Sequence, residues 1–291
     1  MRPLLLIAAL LGAALPLSAD PGLRKVSNLD WRLDAPWFGG FSGIEVHDGG
    51  QIATIIGDRG SLVRIRLIRR AGIMQDIALL HRQPLRNAGG AALRGPERDA
   101  EGLAIHRDGT ASISFEFRDH VSRLDLESGV TRQLDTHEDF ADFPHNRGLE
   151  ALAVHPDGTL YALSENHADR SGTIPLYAYS HALGRWRVSH RIPLGGFHVP
   201  VGADFDAQGR LYVLERFLSP LGFTSRIRRL TLDPSPGRAE VLLTSAPGTY
   251  DNLEGISVWT DANGETRLTL ISDDNFLRVM RSQIVEFIVT E

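Results

Sequence analysis

The sequence contains no cysteine, and only one of its 31 basic residues, Lys25, is a lysine. Without cysteine there is no disulfide framework, no thiolate metal site and no lipid attachment through a lipoprotein cysteine. Basic residues are scattered rather than gathered in a patch, and the formal net charge is −5, so nucleic acid is excluded as a partner. No stretch beyond the N-terminus reads as a long amphipathic helix. The one long apolar run, residues 4–15, is too short to span a bilayer comfortably. It follows Arg2 and leads to Leu17-Ser18-Ala19, small residues ahead of Asp20, so residues 1–19 read as a cleaved signal peptide. The expectation is a periplasmic or secreted chain, with residues 20–291 as one domain and no stable membrane span. A monomer is expected.

What is abundant is glycine, 29 residues, in turns that recur at a fixed period. The stretch from Arg147 to Asn166 sets the pattern. Glu150 precedes a short apolar run, and His155-Pro156-Asp157-Gly158 is a turn, because Pro fixes φ and Gly accepts positive φ. A second apolar run ends at Glu165. Two antiparallel strands joined in this way return their free ends to one edge, which brings the two carboxylates together.

Equivalent hairpins begin at Ser42, Glu101, Glu150, Val201 and Glu254, separated by 59, 49, 51 and 53 residues. Their second strands are read as ending near Asp58, Glu116, Glu165, Glu215 and Asp273, an acid in every repeat. A further strand-like run follows each hairpin, at 62–67, 121–126, 174–179, 226–232 and 283–289. Repeats of about this length built from short strands predict an all-β propeller. Five blades are expected, and six remain open if 72–98 or 131–146 holds a degenerate blade. The last repeat runs out of chain after its third strand. The N-terminal segment 24–33 is predicted to supply the fourth, closing the ring and covering an edge that would otherwise invite aggregation.

In a propeller the start of the first strand and the end of the second lie on the same rim. The opening set (Ser42, Glu101, Glu150, Glu254) and the closing set (Asp58, Glu116, Glu165, Glu215, Asp273) are therefore expected around one channel mouth. Crowded carboxylates repel, on the order of a few kcal/mol per close pair at an effective dielectric near 20. Compensation is expected from arginines beside the acids, including Arg59, Arg147 and Arg216, or from a hard cation. Carboxylates with Asn166, Asn252 and Asn275 make an oxygen-rich set suited to Ca²⁺. His106 and His155, in turns on the opposite rim, read as turn or packing residues. His145, His167 and His198 are loop histidines near the mouth, any of which is a candidate general base. Ser42 stands in Gly-Gly-Phe-Ser-Gly, which is not a nucleophile elbow, and no phosphate-binding glycine loop occurs.

The phrases Asp99-Ala-Glu-Gly-Leu103, Arg147-Gly-Leu-Glu-Ala-Leu152, Asn252-Leu-Glu-Gly-Ile256 and Ser272-Asp-Asp-Asn275 resemble the phytase-like domain family, described as "esterase-like activity of phytase". Phe38-Gly-Gly-Phe-Ser-Gly-Ile44 and Gly57-Asp-Arg-Gly60 extend the likeness over the mature chain. The resemblance implies an exported propeller with phosphoester or carboxylester hydrolase activity on a small anionic or ester substrate. The Asp-Asp-Pro-Ala phrase of the calcium-dependent propeller phytases is absent, a departure that bears on phytate as substrate. The roles expected on this reading are catalytic for Glu101, Glu150 and Glu254, substrate-binding for Arg59, Arg147 and Arg216, and Ca²⁺-binding for Glu116, Glu165, Asp273 and Asp58. Two other readings are a non-catalytic propeller that captures a ligand or cation, and a gluconolactonase-like lactonase.

Overall fold

A computed structural model describes residues 22–144, 147–165, 172–232 and 239–290. It contains five four-stranded antiparallel sheets in a ring, a five-bladed β-propeller. Blade one comprises Phe41–His47, Ile52–Gly57, Ser61–Arg70 and Ile73–Pro84. Blade two comprises Ala100–Ile105, Ala111–Phe115, His120–Leu124 and the three-residue Thr131–Gln133. Blade three comprises Leu149–Val154, Leu160–Ser164, Thr173–Ser180 and Arg185–Pro193. Blade four comprises Val199–Phe205, Arg210–Ser219, Gly222–Thr231 and Glu240–Thr244. In blade five, Asn252–Thr260, Thr266–Asp273 and Ser282–Val289 are completed by the N-terminal strand Leu23–Trp31. That strand runs antiparallel to Ser282–Val289, from Leu23↔Val289 to Trp31↔Ser282, so the predicted closure of the ring holds.

The five blades expected are those observed, and among the described residues neither 72–98 nor 131–144 holds the sixth that was left open. The strand Ile73–Pro84 runs on through His81, with Pro84 pairing with Ser61. Within 131–146, Glu138–Asp142 makes a single 3₁₀ turn whose Phe140 is buried. Residues 1–19 lie outside the described residues, and with them the expected signal peptide. Among the described residues no helix is long and apolar enough to cross a membrane.

The apolar core is divided among the blade interfaces rather than gathered at a centre. One buried cluster packs Ile56 and Leu62 of blade one on Leu103 and Ile113 of blade two. Another joins Ile44 and Val63 of blade one to Ile271 and Ile284 of blade five. Similar clusters join blades two and three, three and four, and four and five. Each sheet is thus apolar on both faces, which explains strands with burial patterns such as those of Ile52–Gly57 and Ser282–Val289, buried throughout. The first and last blades are also tied by charge. Glu286, fully buried, accepts hydrogen bonds from Arg69 Nη1 (2.8 Å) and Nη2 (2.6 Å) of blade one, and from Arg267 Nη1 (2.7 Å) of its own blade.

Around the axis the innermost strands meet backbone to backbone. A Cβ on Gly202 would stand 2.3 Å from the Glu254 carbonyl oxygen, and one on Gly255 would stand 3.0 Å from both Ile44 N and Ser42 O. Only glycine permits this approach. The axial cavity left between Ser42, Glu101, Glu150, Val201 and Ile256 is about 10 Å³, on the scale of one water molecule. The axis is therefore narrow between its two mouths.

Candidate functional site

Each first strand carries a β-bulge where it enters the ring. The register shifts between Phe41 and Gly43, Ala100 and Leu103, Leu149 and Ala151, Pro200 and Gly202, and Leu253 and Gly255. The opening residues Ser42, Glu101, Glu150, Val201 and Glu254 sit in these bulges, and all five are buried. A bulge re-aims one side chain without ending the strand, which is how an acidic residue recurs at the axis inside an otherwise apolar run.

The pair before each bulge fixes the closing position. Phe41↔Gly57, Ala100↔Phe115, Leu149↔Ser164 and Leu253↔Ser272 are followed by Asp58, Glu116, Glu165 and Asp273. In blade four the corresponding pair is Pro200↔Glu215, so the closing residue is Arg216. The sequence reading that placed Glu215 at the mouth was one residue out of register, and in a strand that error reverses the face. Glu215 points instead into blade four, fully buried, where it accepts hydrogen bonds from Arg226 Nε (2.5 Å) and from Arg228 Nη2.

Arg216 takes the place of a fifth acid. Its Nη1 donates to Glu254 Oε1 and to Asn252 Oδ1 (2.9 Å), and its Nη2 donates to Glu165 Oε1 (3.1 Å). Asn252 Nδ2 also donates to Glu254 Oε1 (2.7 Å). Burial alone would lower the Arg216 pKa, but the carboxylates of Glu254, Glu150 and Glu165 outweigh it and hold the guanidinium above its ordinary value.

The other carboxyls are held in the opposite direction. Burial, then the charges of Glu150, Glu254, Asp99 and Glu116, push Glu101 well above the carboxylate range. Glu150 is raised well above it by burial, although Arg216 opposes the shift. Burial raises Glu254 too, against Arg216 and Asn252. Glu116 and Asp58 are each pushed up to about 7, chiefly by burial. Asp273 is pushed to about 8 by burial and by Glu254.

Asp99, which the sequence reading passed over as a site residue, joins this group. It offers a carboxylate oxygen that lies with those of Glu101 and Glu116 inside a 4.8 Å span. The signal for it in the sequence was slight: Asp99 stands just ahead of the strand Ala100–Ile105, two residues before the bulged Glu101. The described carboxyls gathered at the mouth are Asp58, Asp99, Glu101, Glu116, Glu150, Glu165, Glu254 and Asp273, with Arg216 as the guanidinium locked among them.

The remaining candidates are dispersed around the rim. Arg59 is exposed and lays its guanidinium 3.1 Å from the Phe276 ring centroid. Arg147 is exposed and lines a recess with Glu165, Arg216, Phe197 and Phe217. Asn275 is exposed, and its N–H donates to Asp273 Oδ1 (2.6 Å). His198 packs near Phe217, and burial and the Arg226 and Arg228 charges hold its pKa below the usual value. On the opposite face His155 packs edge-on against Phe205 at 5.0 Å, and His106 against His181 at 5.6 Å, as packing residues. His145, Asn166 and His167 lie outside the described residues.

The donor set suits a hard cation. Three carboxylate oxygens fall within the 4.8 Å across which a Ca²⁺ with ligands at about 2.3–2.6 Å is bound. Asp58 Oδ1 is buried at the same mouth with no hydrogen-bond partner.

No protein of curated function matches the sequence. Among solved structures, similar chains include one from a nidogen/laminin complex (TM-score 0.47, 16% identity, 80% of this chain and 75% of that one). Another is the PQQ-bound aldose sugar dehydrogenase of Streptomyces coelicolor (TM-score 0.49, 13% identity, 91% and 98%). A third is the extracellular domain of a hybrid two-component system from B. thetaiotaomicron (TM-score 0.42, 12% identity, 88% and 28%). The sequence profile of the family described as "Phytase-like: Esterase-like activity of phytase" matches residues 36–276, spanning the rim segments and the bulged acids described above, and the chain belongs to that family.

Proposed function

We propose that the acidic mouth binds Ca²⁺ and hydrolyses phosphate or carboxylic esters of small anionic substrates in an exported compartment. The observation that carries this reading is the Asp99–Glu101–Glu116 oxygen cluster, set among carboxyls that cannot all ionise together and counterbalanced by a single locked arginine. Asp99, Glu101 and Glu116 would hold the ion, with Asp58 facing it from blade one. When bound, the cation supplies polarisation of the ester and a lowered pKa for water.

The chain's own groups divide the remaining work. Glu150 is buried, and burial raises its pKa well above the carboxylate range against the opposing charge of Arg216, the direction that suits a general acid toward a leaving group. Glu254, tied to Arg216 and Asn252, is held in place and orients its neighbours. Arg147 and Arg59, exposed at the rim, are placed to receive the anionic part of a substrate.

The test is turnover of p-nitrophenyl phosphate, phytate and short acyl esters by purified mature protein, in Ca²⁺ and in chelator. Chelator-sensitive turnover that Glu101→Gln abolishes is the expected result. Ca²⁺-dependent stabilisation without turnover of any ester would reduce the site to a cation-binding one, and absence of both would reject the proposal.

A further inference from the structure

Blade four departs from the others in the length of its central hairpin. In blades one, two, three and five the second strand ends at the closing acid or one residue before it. In blade four the strand Arg210–Ser219 runs three residues past Arg216. The pairs Phe217↔Thr224, Leu218↔Phe223 and Ser219↔Gly222 continue its ladder with Gly222–Thr231, so the hairpin rises beyond the ring on the side of the mouth. Side chains two apart on a strand share a face, as do those of directly paired residues. Leu218 and Phe223 therefore extend the face that carries Arg216.

Against this hairpin lies a recess of about 390 Å³ that shares Glu165, Arg216 and Asn252 with the mouth. Its exposed lining is mostly apolar, from Phe197, Val199, Phe217, Leu218 and Phe223. None of these five is buried. Phe197 is 83% exposed and Leu218 63%, while Phe217 and Phe223 are half-buried. The Phe197 ring stands 5.9 Å from that of Phe217. Arg147 brings an exposed guanidinium to the same recess, whereas Arg216 is already held by Glu254 and Glu165. Scattered apolar residues are ordinary on a surface. A group of them left open to water beside a charged site marks a surface that binds.

We propose that this recess takes the aliphatic tail of the substrate, which is an amphiphilic anionic ester with its anionic group at Arg147 and its tail along Phe197, Leu218 and Phe223. Charge and apolar surface then match at both ends of one ligand. The walls mix Leu, Val and Phe, and the Phe197 and Phe217 rings are tilted 32° to one another, a trough that suits a flexible chain better than a flat ring. Each methylene laid against the wall leaves water, so affinity rises with chain length. The inference deepens the proposed function and rests on its reading of the acidic mouth as the ester site.

The experiment is calorimetric titration of the mature protein with methyl phosphate and with hexyl phosphate, in Ca²⁺ and in chelator. The expected result is about tenfold tighter binding of hexyl phosphate, from methylenes partly removed from water. Phe197→Ser and Leu218→Asn, both at exposed positions that folding tolerates, should each cut the ratio of the two affinities roughly threefold. Leu221→Ser removes an apolar residue that is 79% exposed on the turn of the same hairpin but does not line the recess, and it should leave the ratio unchanged. Equal affinity for the two esters, or a ratio that Leu221→Ser lowers as much as the recess substitutions do, overturns the tail site. Co-sedimentation with phosphatidylglycerol vesicles that Leu221→Ser and Phe197→Ser weaken alike, without a hexyl preference, overturns it too and makes the hairpin a membrane-docking surface. In either case chelator-sensitive methyl phosphate binding still upholds the cation site. A hexyl preference that Phe197→Ser removes and chelator does not touch upholds the recess and overturns the cation site, and absence of binding by either ester overturns both.

Discussion

Replacing Arg216 by methionine removes the guanidinium that counterbalances the mouth and keeps most of its volume. Arg216 contacts Glu254, Asn252 and Glu165 with its side chain 21% exposed, and the Glu254 side chain is 8% exposed. Breaking a buried pair by removing one partner costs about 3–5 kcal/mol, because the remaining charge is left uncompensated. The residual exposure places the loss near the lower end, about 3 kcal/mol. At roughly 2–4 °C per kcal/mol for a domain of this size, the midpoint should fall by about 6–12 °C in chelator at pH 8. The loss should shrink toward pH 5, because burial already raises the Glu254 pKa and a proton can replace the lost arginine. Arg216→Met combined with Glu254→Gln should recover more than half of it. Thermal melts of the three proteins at both pH values provide the measurement. A fall of less than about 2 °C (under about 1 kcal/mol), or one that does not change with pH, would refute the view that Arg216 holds the acids together.

Further outcomes follow from the same geometry. Asp58 and Glu116, raised to about 7, and Asp273, raised to about 8, contribute stability that is complete below their unfolded values near 4 and is lost as pH rises through 7–8. The chelated protein should therefore melt lower at pH 8.5 than at pH 5.5. Ca²⁺ at 100 times its dissociation constant should restore about 2.7 kcal/mol at the higher pH, with proton release detectable in weakly buffered titrations. Glu286→Gln leaves Arg69 and Arg267 without their shared carboxylate and should cost about 3–5 kcal/mol by chemical denaturation, with no change in Ca²⁺ affinity. A chain beginning at Arg32 lacks the strand that pairs with Ser282–Val289. It should aggregate or lose cooperative melting, and cooperative melting with an unchanged midpoint would show that the closure is dispensable.

The repeat was legible in the sequence because a propeller blade is a local object. A turn glycine, two short runs and a flanking acid recur every fifty or so residues, so the blade number and the N-terminal closure could be read from the missing fourth strand of the last repeat. The opening acids were legible for the same reason. The closing position of blade four was not, because Glu215 and Arg216 are adjacent acid and base. Only the pairing Pro200↔Glu215 decides which of them faces the axis. Asp99 became a site residue through proximity to Glu116 across a hairpin. Periodicity along the chain determined which residues return to the rim. Their facing, charge state and neighbours depended on strand register and on burial against other blades, which arise only when the ring is closed.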